Sequence, residues 1–193
     1  MTGHQADTPG AIRLSATFKG LLFSVALATS SASVAESYSG LVVSVADGDT
    51  VTVLDGANQQ HKVRLAGIDA PEKSQAFGNV SRQHLAQLVF QKKVSIEFEK
   101  YDRYKREVGK ILVAGRDVNL QLIEAGLAWH YKKYESEQSP ADRQTYSAAE
   151  SYAAAERRGL WRDPSPTPPW EFRKLKRRGQ RPESTNAHSK MFN

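Results

Sequence analysis

The sequence has no cysteine among its 193 residues. Disulfide staples, thiolate metal sites, a cysteine nucleophile and a lipid-anchored N-terminal cysteine are all excluded. No apolar run approaches the ~20 residues that a membrane-spanning helix needs. Histidine is scarce: His61, His84 and His130 fall on separate predicted elements and His4 and His188 in the two tails, with no metal-ligand spacing, so none is assigned a role. No internal repeat is present. Charge, by contrast, is plentiful. A quarter of the residues are charged, 39% are apolar, and the net charge is +6. That balance fits one globular domain with tails. A basic surface favours nucleic acid or another polyanion, although membrane headgroups or acidic polysaccharides would be equally served by charge alone.

The first 35 residues have the order of an export signal. Arg13 and Lys19 precede the apolar run 21–28, and a small-residue region ends at Ser33-Val34-Ala35. Cleavage is expected before Glu36. The leader holds only Arg13, Lys19 and Asp7, so the basic character belongs to the mature chain. The predicted domain covers 36–163. Beyond it, Pro164, Pro166, Pro168 and Pro169 are followed by five cations within 173–178. This composition predicts an extended or disordered segment over 164–193. Its cations are expected to stay solvated, with a secondary grip on phosphate backbone as the functional alternative.

Within the domain, apolar residues alternate over 41–45, 50–53, 61–65, 94–99 and 108–113, predicting five short strands. Turn residues separate the first three, including Asp47-Gly48-Asp49 and Asp55-Gly56-Ala57-Asn58. Helical spacing predicts a helix from about 78 to 90, a second capped by Asn119 and closed by Gly126, and a third from Pro140 to about Gly159. Leu160 and Trp161 are expected to fold back onto the core. Five short strands with a helix inserted after the third point to a small α+β fold built on the oligonucleotide/oligosaccharide-binding (OB) barrel, with three helices.

The stretch 64–72 carries the chemistry. Arg64 ends a strand, Asp69 follows, and Glu72 lies three residues beyond, after Pro71 has stopped strand pairing. Antiparallel pairing of the second and third strands brings Asp49 and Asp69 together despite 20 residues of separation. Two adjacent carboxylates need a counter-charge. A hard divalent cation such as Ca²⁺, with the Ala70 main-chain carbonyl as a further ligand, would supply it. An ordinary network with Lys62 or Arg64 would do so as well. A cation for phosphoryl oxygens and a carboxylate for water are what phosphodiester hydrolysis asks for.

Asp47-Gly48-Asp49-Thr50, Arg64 with Asp69-Ala70-Pro71-Glu72, Asp102-Arg103-Tyr104-Lys105-Arg106, Asn119 with Gly126-Leu127-Ala128, and Arg158-Gly159-Leu160-Trp161 together resemble the staphylococcal (thermonuclease-type) nuclease family. The resemblance runs from about 39 to 161. It implies an OB-fold barrel with a Ca²⁺-dependent phosphodiesterase site acting on DNA and RNA. It also implies that Asp49, Asp69 and the Ala70 carbonyl hold calcium, and that Glu72 orients or deprotonates the attacking water. Arg64 and Arg106 would then hold the phosphoryl oxygens. Tyr104, Tyr131 and Tyr134 match aromatics near the nucleotide, where stacking would be sequence-tolerant; half-buried packing is the structural alternative for the last two. A family member carries threonine in place of Ala70, a change that spares a main-chain ligand. The competing class is a noncatalytic OB-fold nucleic-acid-binding module. A membrane-surface or adhesion role rests on charge and export alone. No feature demands a stable protein partner or more than a monomer.

Overall fold

Val94, Ile96 and Phe98 are buried while Ser95, Glu97 and Glu99 between them are exposed. The period of two is thus the inside–outside alternation of a barrel wall. The structure, a computed structural model, describes residues 1–3 and 36–180. Its strands are β1 (Glu36–Val45), β2 (Thr50–Asp55), β3 (Gln60–Leu65), β4 (Ile68–Asp69), β5 (Lys93–Tyr101), β6 (Glu107–Val113), β7 (Arg116–Asp117) and β8 (Trp129–His130). The α-helices are α1 (Gly78–Val89), α2 (Val118–Glu124), α3 (Pro140–Ala155) and α4 (Pro169–Arg177), with 3₁₀ turns at Lys132–Glu137 and Gly159–Arg162.

β1, β2 and β3 form an antiparallel meander, and Asp55 Oδ1 closes its second turn by accepting from the N–H groups of Ala57 and Gln59, both at 2.8 Å. β1 also pairs with β5, and β5 with β6. Parallel pairing of β3 with β6, Val63 opposite Glu107 and Leu65 opposite Gly109, then joins the two ends of the sheet. Five strands therefore close into the expected OB-type barrel, which leaves no long open edge. Val42, Val51, Val53, Val63, Leu65 and Ile111 fill it, and Leu85, Val89, Leu122 and Ile123 of α1 and α2 extend the same core. Leu160 is buried and Trp161 packs on Trp129, so the turn after α3 does fold back.

Two expectations need correction. Asn119 is not the cap of α2; Asp117 is, its carboxylate accepting from the Leu120 N–H at 3.0 Å. Asn119 lies fully buried within the helix, accepts from the Ile111 N–H and donates to the carbonyls of Ala66 and Gly109. It satisfies backbone groups where the barrel wall meets α2. The segment after 163 is not extended throughout either. Pro169 opens α4, where its missing N–H costs nothing, Phe172 is buried, and Trp170 packs against Trp129 and Tyr131. A few apolar anchors outweigh the polar composition there. The expected leader, save residues 1–3, and the tail beyond 180 lie outside the described residues. Among those described, no helix is long and apolar enough to cross a membrane.

Candidate active site

The β2–β3 hairpin sets the register of the site. Thr50 lies opposite Arg64, and the Leu65 N–H donates to the Asp49 carbonyl at 2.8 Å. β4 pairs with β8, Asp69 opposite Trp129, which holds the second acid in place. Asp49 and Asp69 are both buried. Arg64 lies between them: Nη2 donates to Asp49 Oδ2 at 3.2 Å and to Asp69 Oδ1 at 3.1 Å, while Nη1 donates to the Leu65 and Ile68 carbonyls. The Ala70 N–H donates to Asp49 Oδ2 at 3.2 Å, and the Thr50 hydroxyl to Asp49 Oδ1 at 3.0 Å. Of the two counter-charges left open by the sequence, the arginine network is therefore present.

Two carboxyls at this network are held above their ordinary range. Burial, with the Asp49 charge adding to it, pushes the Asp47 carboxyl up to about 6. Burial also raises Asp69; the Arg173 hydrogen bond opposes it and Asp49 reinforces it. Burial alone would lower the Arg64 pKa, but Asp49 and Asp69 outweigh it and hold the guanidinium charged. Both shifts come first from burial, which disfavours the charged carboxylate. The donors are hard oxygens, the set that suits Ca²⁺. Among the described residues, however, no three acidic or histidine side chains converge closely enough to chelate an ion unaided. Main-chain oxygen and water would have to complete the shell, as is usual for Ca²⁺.

Arg106 is positioned by its own turn. Asp102 Oδ1 accepts from the N–H groups of Tyr104 and Arg106, and Oδ2 accepts from Arg106 Nε at 2.7 Å. Arg106 Nη1 reaches Thr50 Oγ1 at 3.3 Å, and that hydroxyl donates on to Asp49. One threonine therefore ties the second arginine to the acid pair. Tyr104 is exposed beneath the guanidiniums of Arg103 and Arg106. Tyr131 meets Tyr134 edge-on at 5.0 Å and stacks on Trp170 at 5.4 Å with ring planes 14° apart.

Asp49, Arg64, Asp69, Ala70, Glu72, Tyr104, Arg106, Tyr131 and Tyr134 all line one open cleft of 1140 Å³. The structure thus gathers every predicted site residue at one place. It adds two that sequence reasoning missed. Arg173 donates from Nη2 to Asp69 Oδ2 at 2.7 Å and from Nη1 to Glu72 Oε1 at 2.8 Å. Trp170, one turn earlier, covers Tyr131. A signal for both was present: Pro169 ahead of Trp170, Phe172 and Leu175, interleaved with cations, is the pattern of a short amphipathic helix.

Residues 62–163 match the staphylococcal nuclease homologue family. An uncharacterized endonuclease of Haemophilus influenzae is 41% identical over 133 residues, covering 69% of this chain and 71% of that protein. A micrococcal nuclease of Shigella flexneri is 39% identical over 146 residues, 71% of this chain and 81% of its own length. A staphylococcal-like nuclease of Arabidopsis thaliana is 36% identical over 121 residues, 63% of this chain and 36% of that protein. The family match ends before α4, so Arg173 and Trp170 reach the cleft from outside the matched region. Closed barrel, acid pair and matched region agree: the chain belongs to the staphylococcal nuclease family and is a hydrolase of the thermonuclease type.

Proposed function

We propose that the chain is an exported endonuclease that hydrolyses phosphodiester bonds of DNA and RNA with little sequence preference and depends on Ca²⁺. The observation that carries this reading is the single cleft shared by Asp49, Asp69, Glu72, Arg64 and Arg106. Binding alone would not require buried acids in the groove, since they oppose a polyanion unless a cation offsets them. That weighs against the noncatalytic module.

In this reading Asp49, Asp69 and the Ala70 carbonyl hold the ion. When bound, calcium would supply Lewis-acid polarisation of the scissile phosphate and offset the two carboxylates. Glu72, half-exposed at the cleft, orients or deprotonates water for attack on phosphorus. Arg64 and Arg106 donate to the phosphoryl oxygens, where negative charge builds up as the transition state forms. Exposed tyrosines at positions 104 and 134 offer stacking faces that do not discriminate between bases.

The decisive experiment is digestion of single-stranded DNA and of RNA with added Ca²⁺ or with chelator, for wild type and Glu72→Gln. Chelator-sensitive cleavage that is lost in Glu72→Gln is the expected result. Absence of cleavage in the wild type would favour the binding module. N-terminal sequencing of the protein recovered from its native host should read from Glu36; an intact Met1 would remove the export proposal.

A further inference from the structure

Trp170, Arg173, Lys174 and Arg177 follow the spacing i, i+3, i+4, i+7, a single stripe along α4. All four line the catalytic cleft. The helix is fixed there at three points: the Gln75 side-chain amide donates to the Thr167 carbonyl at 2.5 Å, Trp170 packs between Trp129 and Tyr131, and Arg173 grips Asp69 and Glu72. Phe172, buried, holds its other side.

The three cations of the stripe differ in what they face. Arg173 is committed to two carboxylates. Among the described residues Lys174 pairs with Glu171 alone, at 3.6 Å on its own helix, an interaction of little worth for an exposed pair. Arg177 is exposed. Lys174 and Arg177 therefore present charge to the cleft that no strong partner among the described residues consumes. Of the nine Lys and Arg side chains among the described residues that line the cleft, α4 supplies these three, and it does so from beyond the region that the family match covers. Asp47, Asp49, Asp69 and Glu72 would otherwise repel a polyanion here, and a basic wall beside them offsets that repulsion. Stacking on the exposed Tyr104 and Tyr134 in the same cleft would need unpaired bases, which favours a single-stranded ligand.

We propose that α4 adds a phosphate-binding subsite to the cleft, with Lys174 and Arg177 holding the backbone of single-stranded nucleic acid and Arg173 anchoring the helix to the acids. The subsite rests on the nuclease reading for its ligand, and its test does not depend on cleavage. Binding of a fluorescein-labelled oligo(dT) to the full chain is measured in chelator over a series of KCl concentrations. The variants are Lys174→Ala/Arg177→Ala and a charge-matched control, Lys93→Ala/Arg116→Ala, whose exposed cations lie outside the cleft.

Each phosphate of a single strand that the protein ceases to neutralise lowers the slope of log K against log salt by about 0.7. The α4 variant should therefore lose about 1.4 from the slope and bind several-fold more weakly, with the control unchanged. An unchanged slope in the α4 variant, or an equal fall in the control, would overturn the subsite. A wild type that binds with this pattern and yet cuts nothing in Ca²⁺ would uphold the subsite and reject the nuclease reading. A wild type that binds no oligo(dT) in chelator would overturn the subsite, and cleavage in Ca²⁺ would then judge the nuclease reading separately.

Discussion

Arg173 Nη1 donates to Glu72 Oε1 at 2.8 Å across 101 residues of chain. The same guanidinium binds both oxygens of Asp69. A carboxylate expected to act on water and one expected to hold a cation are thus joined by an arginine from outside the family match. Arg64 holds Asp69 from the barrel side and Arg173 from the α4 side, so the acid is shared between a fixed strand and an appended helix.

Arg173 and a bound cation would compete for Asp69. Replacing Arg173 by glutamine should therefore tighten Ca²⁺ binding, measured by isothermal titration without substrate. Arg173 is partly exposed but Asp69 is buried, so the pair is worth more than the ~0.2–1 kcal/mol of a surface ion pair, and a gain of at least a few-fold is expected. Weaker binding in Arg173→Gln would show instead that the arginine holds the ligand geometry.

The two proposed phosphoryl arginines should respond differently to lysine. Both lose the planar fork, and each should cost about 10²–10³ in kcat/KM. Arg64 also satisfies two buried carboxylates and two carbonyls, whereas Arg106 is bound to a partly exposed Asp102 and one hydroxyl. Arg64→Lys should therefore lower Tm clearly and Arg106→Lys little. Equal Tm losses in thermal denaturation would mean that the Arg64 network carries no special structural weight.

A second polar cluster pins the barrel where β3 meets β6. His61 Nδ1 lies 2.7 Å from Glu107 Oε1, its Nε2 lies 3.1 Å from Asp55 Oδ2, and the Tyr38 ring lies beside it. Burial alone would depress the imidazole pKa, but the hydrogen bonds to Glu107 and Asp55 outweigh it, so the folded-state pKa is above the ordinary 6.5. The sign follows from linkage: stability from this group is complete below pH 6.5 and is lost as pH rises through the higher folded value. Urea denaturation from about pH 6 to 9 should show that decline in wild type and a flatter profile in His61→Asn. Parallel profiles would exclude His61 as its source. Glu107 adjoins Arg106, so the cluster also bears on the position of that arginine.

How much of this is legible in the sequence depends on the range of the interaction. The β2–β3 hairpin is local, its turn and alternation are strong signals, and the meeting of Asp49 with Asp69 follows from them. Parallel closure of β3 on β6 is non-local and leaves no pattern in either strand. Asn119 has the composition of a cap but is drawn inward by unpaired wall carbonyls that only the closed barrel creates. For α4, prolines and cations dominate the composition, while Trp170 and Phe172 determine the outcome by finding partners far back along the chain. Arg106 as a site residue is legible only through the family resemblance; its turn looks like any charged turn until Thr50 is placed beneath it.

Gly78 offers a test of how tightly the Glu72 loop is held. A Cβ built at Gly78 would lie 1.9 Å from the Glu72 carbonyl oxygen, 2.7 Å from its carbon and 3.1 Å from the Lys73 Cα. All three are backbone atoms, so no side-chain rotation relieves the overlap. Gly78 opens α1, and alanine would ordinarily help a helix by up to about 1 kcal/mol. The Glu72 loop must therefore move by an ångström or more, or α1 must tilt away from the core formed by Leu85 and Val89. The loop is the softer of the two, because Lys73 and Ser74 are exposed while the α1 face is packed. Displacement of a catalytic group by about 1 Å costs on the order of 10² in rate. Gly78→Ala should thus lose about 10² in single-turnover cleavage while Tm falls by only a few degrees and oligo(dT) binding is retained. A large loss of Tm with near-normal cleavage would place the strain in α1 and show that the loop carrying Glu72 is rigid.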